Sequence, residues 1–174
     1  YNLYRGNYLY YMNYFELFDL PFRARIDNTR VQKKYIELQK KFHPDYYTQE
    51  ADAEREQALE QSAHINKAFN IFRSSDKTLE YFLQQKGIIT SDEKYALPDD
   101  FLMEVMEINE SVFEAGKEAA GNTIAQFENR LEQEVKDIFD KPAEASYSEA
   151  ELEQLKAYFY KKKYLHRILD RLAD

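Results

Sequence analysis

The 174 residues predict an all-α protein made of two helical modules. Three observations lead there. Only four Gly and four Pro leave little material for hairpin turns, whereas the strong helix formers Glu, Lys, Gln, Leu and Ala are plentiful. Apolar residues recur at three- and four-residue intervals along most of the chain. Charge is also unevenly placed: residues 12–86 carry 12 basic and 12 acidic side chains, whereas residues 87–174 carry 11 basic against 20 acidic, a balance of −9. With 44% hydrophobic and 32% charged side chains, the chain can bury cores for one or two small domains.

The same composition excludes several function classes. The absence of Cys removes disulfides, thiol catalysis, Cys-based zinc sites and direct thiolate ligation of an iron–sulfur cluster. Apolar runs fall well short of the roughly 18 residues of a membrane-spanning helix, and no charged-then-apolar leader opens the chain. A soluble cytoplasmic protein without a membrane partner is therefore expected. The acidic second half argues against nucleic-acid binding, which needs clustered cations along the phosphates. His64 and His166 have no zinc-type ligand pattern around them, so no metal or other cofactor is expected. No Gly-rich phosphate loop or Ser/His arrangement suggests a catalytic residue.

Residues 1–11, with five Tyr and the single charge of Arg5, read as an extension preceding Met12. Asn13 and Glu16 make a capping-box start for a short helix in which Tyr14, Leu17 and Phe18 share a side before Pro21. Asp27 caps a second helix, where Val31, Tyr35, Leu38 and Phe42 form an apolar stripe ended by Pro44. A third helix runs over about 51–73, with Ala58, Ile65, Ala68, Phe69 and Phe72 facing inward, and can pair antiparallel with the second. A fourth, over 77–86, ends at Gly87, a residue suited to the left-handed dihedral past a helix end. Residues 87–98 read as linker. Three longer segments follow, about 99–115, 122–139 and 149–173, punctuated by Pro98, Gly116, Gly121 and Pro142, which make a three-helix bundle over 99–174. In the middle segment Ile124, Phe127, Leu131, Val135, Ile138 and Phe139 form one stripe, and Ser148 with Glu151 is a second capping box.

The second helix carries the first candidate site. At 100° per residue Arg30, Lys33, Lys34, Lys40 and Lys41 fall within an arc of about 120° away from the apolar stripe. Only Glu37 interrupts it, at four-residue spacing from Lys33 and Lys41, with which it is expected to pair. His43-Pro44-Asp45 then stands where the helical hairpin turns back. Proline cannot continue the helix, so the flanking imidazole and carboxylate are held out at the tip, within reach of another protein.

This order of elements resembles a J-domain: a short first helix, a basic second helix ending in His43-Pro44-Asp45, a third carrying Ile65-Asn66-Lys67-Ala68-Phe69, and a fourth. More closely, Asn13-Tyr14-Phe15-Glu16-Leu17-Phe18 with Leu20-Pro21, then Leu38-Gln39-Lys40-Lys41-Phe42-His43-Pro44-Asp45, and Phe101-Leu102-Met103-Glu104 are similar to the HscB family of iron–sulfur co-chaperones. The resemblance spans residues 12–174, with the J-domain over 12–86. It implies a protein without catalytic activity that docks on an HscA/DnaK-type ATPase chaperone and stimulates its ATP hydrolysis. Asp45, within the family's functional tripeptide, would engage a basic residue near that chaperone's interdomain linker. Lys33, Lys34, Lys40 and Lys41, with Arg30, would meet an acidic face.

The second module carries another candidate. With Leu102 as the angular origin, Phe101, Val105, Ile108 and Val112 lie between about 240° and 300°, whereas Leu102, Met106 and Phe113 lie near 0–40° and Met103 near 100°. One bundle face cannot bury both sets, so the first is assigned to the core. Leu102, Met103 and Met106 are expected to be exposed, flanked by Glu104, Glu107 and Glu110. Polarizable, flexible Met suits an adaptable binding surface. In HscB-like proteins the matching Leu-Met segment, together with an aromatic residue on the last helix, binds the IscU-type scaffold on which clusters are assembled. Leu152, Leu155, Tyr158, Phe159, Leu165 and Leu169 cover the inward arc of that helix. Tyr160 best matches the aromatic, with Tyr158 or Phe159 as alternatives.

The reading is of a monomer that brings a cluster scaffold to its chaperone. Two others compete: a J-domain co-chaperone for a different client, and an acidic helical scaffold in which His43-Pro44-Asp45 merely ends a helix.

Overall fold

The computed structural model describes residues 12–47, 52–115 and 117–173, with side chains for all of these except 44, 111–120 and 169–173. The expectations for residues 1–11, Gly116 and the side chains of Val112, Phe113 and Leu169 lie outside the described residues. The described chain is helical, as its composition predicts. It divides into two compact units between Phe82 and Leu83.

The first unit opens with α1 (Tyr14–Leu17), whose capping box is formed in both directions: the Glu16 amide donates to Asn13 Oδ1 at 3.0 Å, and the Asn13 amide donates to Glu16 Oε2 at 3.2 Å. The helix ends in a Schellman turn. Leu20 N–H reaches Phe15 O at 2.9 Å and Asp19 N–H reaches Glu16 O at 3.1 Å, with Asp19 at φ +49° in the position usually given to Gly. Phe15, Leu17 and Phe18 are buried, whereas Tyr14 is only half-buried. Phe15 packs against Phe72, Phe22 and Tyr81 with ring centroids 4.9–5.6 Å apart, and this aromatic cluster is the heart of the unit's core.

Helices α2 (Asn28–Phe42) and α3 (Asp52–Phe72) form the hairpin. Asp27 caps α2 by accepting the Thr29 amide at 2.8 Å. Val31 and Leu38 are buried from α2, and Ala58, Ser62, Ile65, Ala68 and Phe72 from α3. Tyr35 and Phe69 are not fully enclosed; they stack on each other across the hairpin at 3.9 Å. Beside them Asn66 Oδ1 accepts from both Tyr35 Oη at 3.0 Å and Gln39 Nε2 at 2.9 Å, tying the last turns of α3 to the middle of α2. Helix α4 (Ser75–Gln85) closes the core with Leu79 and Phe82, and the left-handed Gly87 at φ +69° ends it in a second Schellman turn.

The second unit contains α5 (Asp99–Ala115), α6 (Lys117–Glu134), the short α7 (Lys136–Phe139) and α8 (Glu149–Ala173). Its core joins Phe101, Val105 and Ile108 from α5 to Ile124, Phe127 and Leu131 from α6 and to Leu152, Leu155, Tyr158, Phe159, Leu165 and Ile168 from α8. Two boundaries differ from the sequence expectation. Gly121 does not break the middle helix, which runs through it from Lys117. A lone Gly costs a helix interior only about 1 kcal/mol relative to Ala, less than the packing of Ile124, Phe127 and Leu131 supplies. The break comes instead at Val135, at φ −113° and ψ 6°, so the expected single stripe is split and the neighbouring Ile138 and Phe139 are both buried. Because a Cβ added at Gly121 would meet nothing within 4 Å, Gly121→Ala is expected to stabilise the unit by about 0.5–1 kcal/mol, read as a rise in chemical-denaturation midpoint at unchanged slope.

The stretch expected as a plain linker is also packed. Ile89 is buried, and Lys156 on α8 donates to Ile88 O at 3.1 Å. At the start of α8, Ser148 and Glu151 form the expected capping box, and Lys141 joins it at 2.6 Å from Glu151. The hydrogen bond from Lys141, reinforced by the Ser148 amide, holds the Glu151 carboxyl down to about 2. Its folded value lies below its unfolded one, so this contribution is present above about pH 4.5 and is lost as pH falls through about 2. Thermal melts across that window should show Tm falling more steeply for the parent protein than for Lys141→Met.

Candidate functional site

The sequence places a candidate site on each unit. On the first, His43 caps the C-terminus of α2: its amide donates to Gln39 O at 2.9 Å, while ψ of 130° turns the chain out of the helix. Pro44–Tyr47 form one 3-10 turn, closed by the Tyr46 amide on His43 O at 3.1 Å. Tyr47 folds back to donate its hydroxyl to Lys41 O at 3.0 Å, satisfying one of the carbonyls left over at the helix end. The Asp45 amide donates to His43 Nδ1 at 3.3 Å. The same nitrogen lies 3.6 Å from Asp45 Oδ2, a contact that becomes an ion pair only when the ring is protonated. The tip is thus ordered by four local hydrogen bonds, while the Asp45 side chain remains 83% exposed.

Along α2, Arg30, Lys33, Lys40 and Lys41 are exposed and make no ion pair among the described residues. Lys34 differs. It is half-buried and held by both Asp19 and Glu37, the latter at 3.2 Å. Burial pulls the Lys34 ammonium down, but its hydrogen bonds to the two carboxylates outweigh this and leave its pKa raised. Glu37 therefore pairs with Lys34, not with Lys33 and Lys41 as the spacing suggests, because only Lys34 is turned toward a second carboxylate from the end of α1. The exposed basic face consists of four cations, and Lys40 and Lys41 also complement the negative end of the helix dipole.

On the second unit, Met103 and Met106 are exposed by 60% and 62%, far more than buried Phe101, Val105 and Ile108 on the same helix. Glu107 and Glu110 beside them are exposed, and Leu102 is half-buried, less open than expected. Glu104 pairs with Arg130, whose guanidinium lies 4.5 Å over the Phe127 ring. The contact links α5 to α6. Of the three aromatic residues the sequence left open on α8, Tyr158 and Phe159 are in the core, and only Tyr160 has its ring partly accessible. It stacks on Tyr95 with centroids 4.5 Å apart and donates its hydroxyl to Glu93 Oε2 at 3.3 Å. Sequence reasoning missed Tyr95, Glu93 and Lys156; the available signal was a connector that carries Ile88, Ile89, Tyr95 and Leu97 among its polar residues. The bridge that Asn66 makes to Tyr35 and Gln39 has no signal in the sequence.

Among the described residues no group of His, Asp and Glu has the arrangement of a metal site, and no helix is long and apolar enough to cross a membrane.

A basic helix ended by an ordered His-Pro-Asp tip, followed by a separate helical bundle, defines a J-domain co-chaperone. Residues 97–173 match the family model described as the HSCB C-terminal oligomerisation domain. The chain is 36% identical over 131 residues to a co-chaperone protein HscB homolog of Psychromonas ingrahamii, covering 75% of this chain and 77% of that one. It is 35% identical to the homolog of Vibrio vulnificus over 69% and 71% of the two chains. A third homolog, from Vibrio cholerae, is 39% identical over 102 residues, which span 58% of this chain and 60% of that relative. The solved chaperone HscB from Vibrio cholerae superposes with a TM-score of 0.69 at 26% identity, covering 93% of this chain and 96% of that one. Human co-chaperone HscB shares the fold, with a TM-score of 0.78 over 94% of this chain and 81% of that one at 24% identity. The chain belongs to the HscB family of co-chaperones.

Proposed function

We propose that this protein joins an HscA/DnaK-type ATPase chaperone to an IscU-type iron–sulfur scaffold in the cytoplasm, and that it stimulates the chaperone's ATP hydrolysis for cluster transfer. In this reading it acts as a single chain, a point on which it differs from the oligomerisation named in the family model's description. ATP hydrolysis belongs to the partner, and no catalytic residue is assigned here.

The observation that carries the reading is the Asp45 carboxylate, 83% exposed, on an ordered turn that directly continues the basic face of α2. Arg30, Lys33, Lys40 and Lys41 steer an acidic surface of the chaperone toward the tip, and Lys34 supports that face through Asp19 and Glu37. His43 and Asp45 then make the short-range contact that favours the hydrolysis-competent state, which is differential binding to one state of a switch. On the other unit Leu102, Met103 and Met106, with Glu107, Glu110 and Tyr160, receive the scaffold. Flexible thioethers supply adaptable apolar contact, and the flanking carboxylates set orientation. Engaging the client through one unit and the chaperone through the other raises the local concentration of client at its chaperone.

The test is steady-state ATP hydrolysis by an HscA-type chaperone titrated with this protein at low and high salt. Stimulation whose half-saturation moves to higher protein concentration with salt supports the reading, since four exposed cations steer the encounter. No stimulation at either salt overturns it.

A further inference from the structure

Residues 88–95 are fastened along α8 more firmly than a connector requires. Lys156 donates to Ile88 O at 3.1 Å, and the same ammonium lies 2.5 Å from Glu93 Oε1. The other oxygen of Glu93 accepts the Tyr160 hydroxyl, and the Tyr95 ring lies flat on Tyr160, the planes only 5° apart. Lys156 sits 6.0 Å from the Tyr95 ring centroid, and both charged side chains are largely covered, at 14% and 26% exposure. The hydrogen bond from Lys156 holds the Glu93 carboxyl below its usual range, so the pair stays charged at neutral pH. A segment serving only to join two modules is typically polar and exposed, whereas this one carries a buried Ile89 and an aromatic clamp.

The clamp lies at the end of the unit where the methionine face begins. Tyr164, one turn beyond Tyr160, meets Phe101 edge-on at 6.0 Å, and Lys161 lies 5.7 Å over the same ring. Phe101 directly precedes Leu102 and Met103. A tyrosine projecting alone from a helix loses rotamer freedom when a partner orders it, and that loss weakens the complex. Tyr160 has already lost it. Tyr95 covers one face of its ring, Phe159 meets it edge-on at 5.1 Å and Glu93 takes its hydroxyl, while the residue as a whole stays partly exposed.

We propose that Tyr95, anchored by the Glu93–Lys156 pair, is a positioning residue that presents the Tyr160 ring to the scaffold in a single orientation. The proposal rests on the reading of Tyr160 as scaffold-binding and deepens it. Tyr95 acts through Tyr160 and does not itself touch the client.

Calorimetric titration of an IscU-type scaffold into the full chain tests this with Tyr95→Ala, Tyr95→Phe, Tyr160→Ala and the double variant Tyr95→Ala/Tyr160→Ala. Tyr95→Ala should weaken binding about fivefold, a factor worth roughly 1 kcal/mol, whereas Tyr95→Phe keeps the stack and should match the parent. The double variant should bind no more weakly than Tyr160→Ala. An unchanged Tyr95→Ala beside a weakened Tyr160→Ala overturns the positioning role and leaves the docking reading intact. Additive losses in the double variant also overturn it, because Tyr95 would then contact the scaffold itself. A Tyr160→Ala variant that binds normally removes the docking reading of Tyr160, and the proposal falls with it. If Tyr95→Ala lowers the melting temperature, Glu93→Gln provides the second arm: it too must weaken binding only while Tyr160 is present, and equal losses with and without Tyr160 overturn the proposal.

Discussion

Asp45→Asn is expected to abolish stimulation of the chaperone's ATPase while leaving the fold unchanged. Asn is nearly isosteric with Asp, so the substitution removes the charge and little else. The side chain is 83% exposed, and the turn is held by the Tyr46 amide, the Tyr47 hydroxyl and the Asp45 amide, all of which survive. Stability should therefore change by no more than about 0.5 kcal/mol. The contact with the chaperone is different, because a charge-assisted hydrogen bond contributes about 1.5–3 kcal/mol and a neutral amide recovers little of it. Half-saturation should rise by about ten- to a hundredfold, so stimulation should all but vanish at the protein concentration that half-saturates the parent. Stimulation equal to that of the parent would exclude Asp45 from the contact.

The second large effect is expected on the other unit. Met103→Ala with Met106→Ala should weaken scaffold binding by at least about tenfold, since two apolar anchors each contribute more than about 1 kcal/mol when enclosed at an interface. The structure favours this pair over any variant at Leu102. Both methionines are more than half exposed, so their truncation leaves no cavity, whereas half-buried Leu102 would combine lost binding with lost packing. Calorimetry with the scaffold, beside a thermal melt of each variant, separates the two. Weak binding at an unchanged melting temperature is the expected result. Normal binding would show that the exposed methionines are ordinary surface.

How much of this was legible in the sequence depends on the distance over which each interaction acts. The capping boxes at Asn13–Glu16 and Ser148–Glu151, the left-handed turn at Gly87 and the stripe containing Val31 and Leu38 are local, and all are formed. Angular position divides the apolar residues of α5 into two sets, and the family resemblance marks which one is exposed: Phe101, Val105 and Ile108 are buried and Met103 and Met106 exposed, whereas Leu102, expected beside the methionines, is half-buried. Gly121 misled because propensity is weak beside packing. Glu37 misled because its four-residue neighbours were visible, whereas Asp19, which together with Glu37 fixes Lys34, belongs to another element. Asn66 bonding Tyr35 and Gln39, and Tyr95 lying on Tyr160, link residues that only the tertiary fold brings together, and no periodicity encodes them. Of the candidate sites, the tip was legible as a tripeptide in context and the methionine face as an excess of apolar residues on one helix. The aromatic on α8 became a single choice only when Tyr158 and Phe159 were found in the core.

Whether one chain holds a chaperone and its client at once is read from steady-state ATP hydrolysis by an HscA-type chaperone with this protein, with the scaffold, and with both. The rate with both should exceed the sum of the separate stimulations, falling to the scaffold-alone rate with Asp45→Asn and to the sum with Met103→Ala/Met106→Ala. A rate with both that merely equals that sum for the parent protein would contradict simultaneous binding.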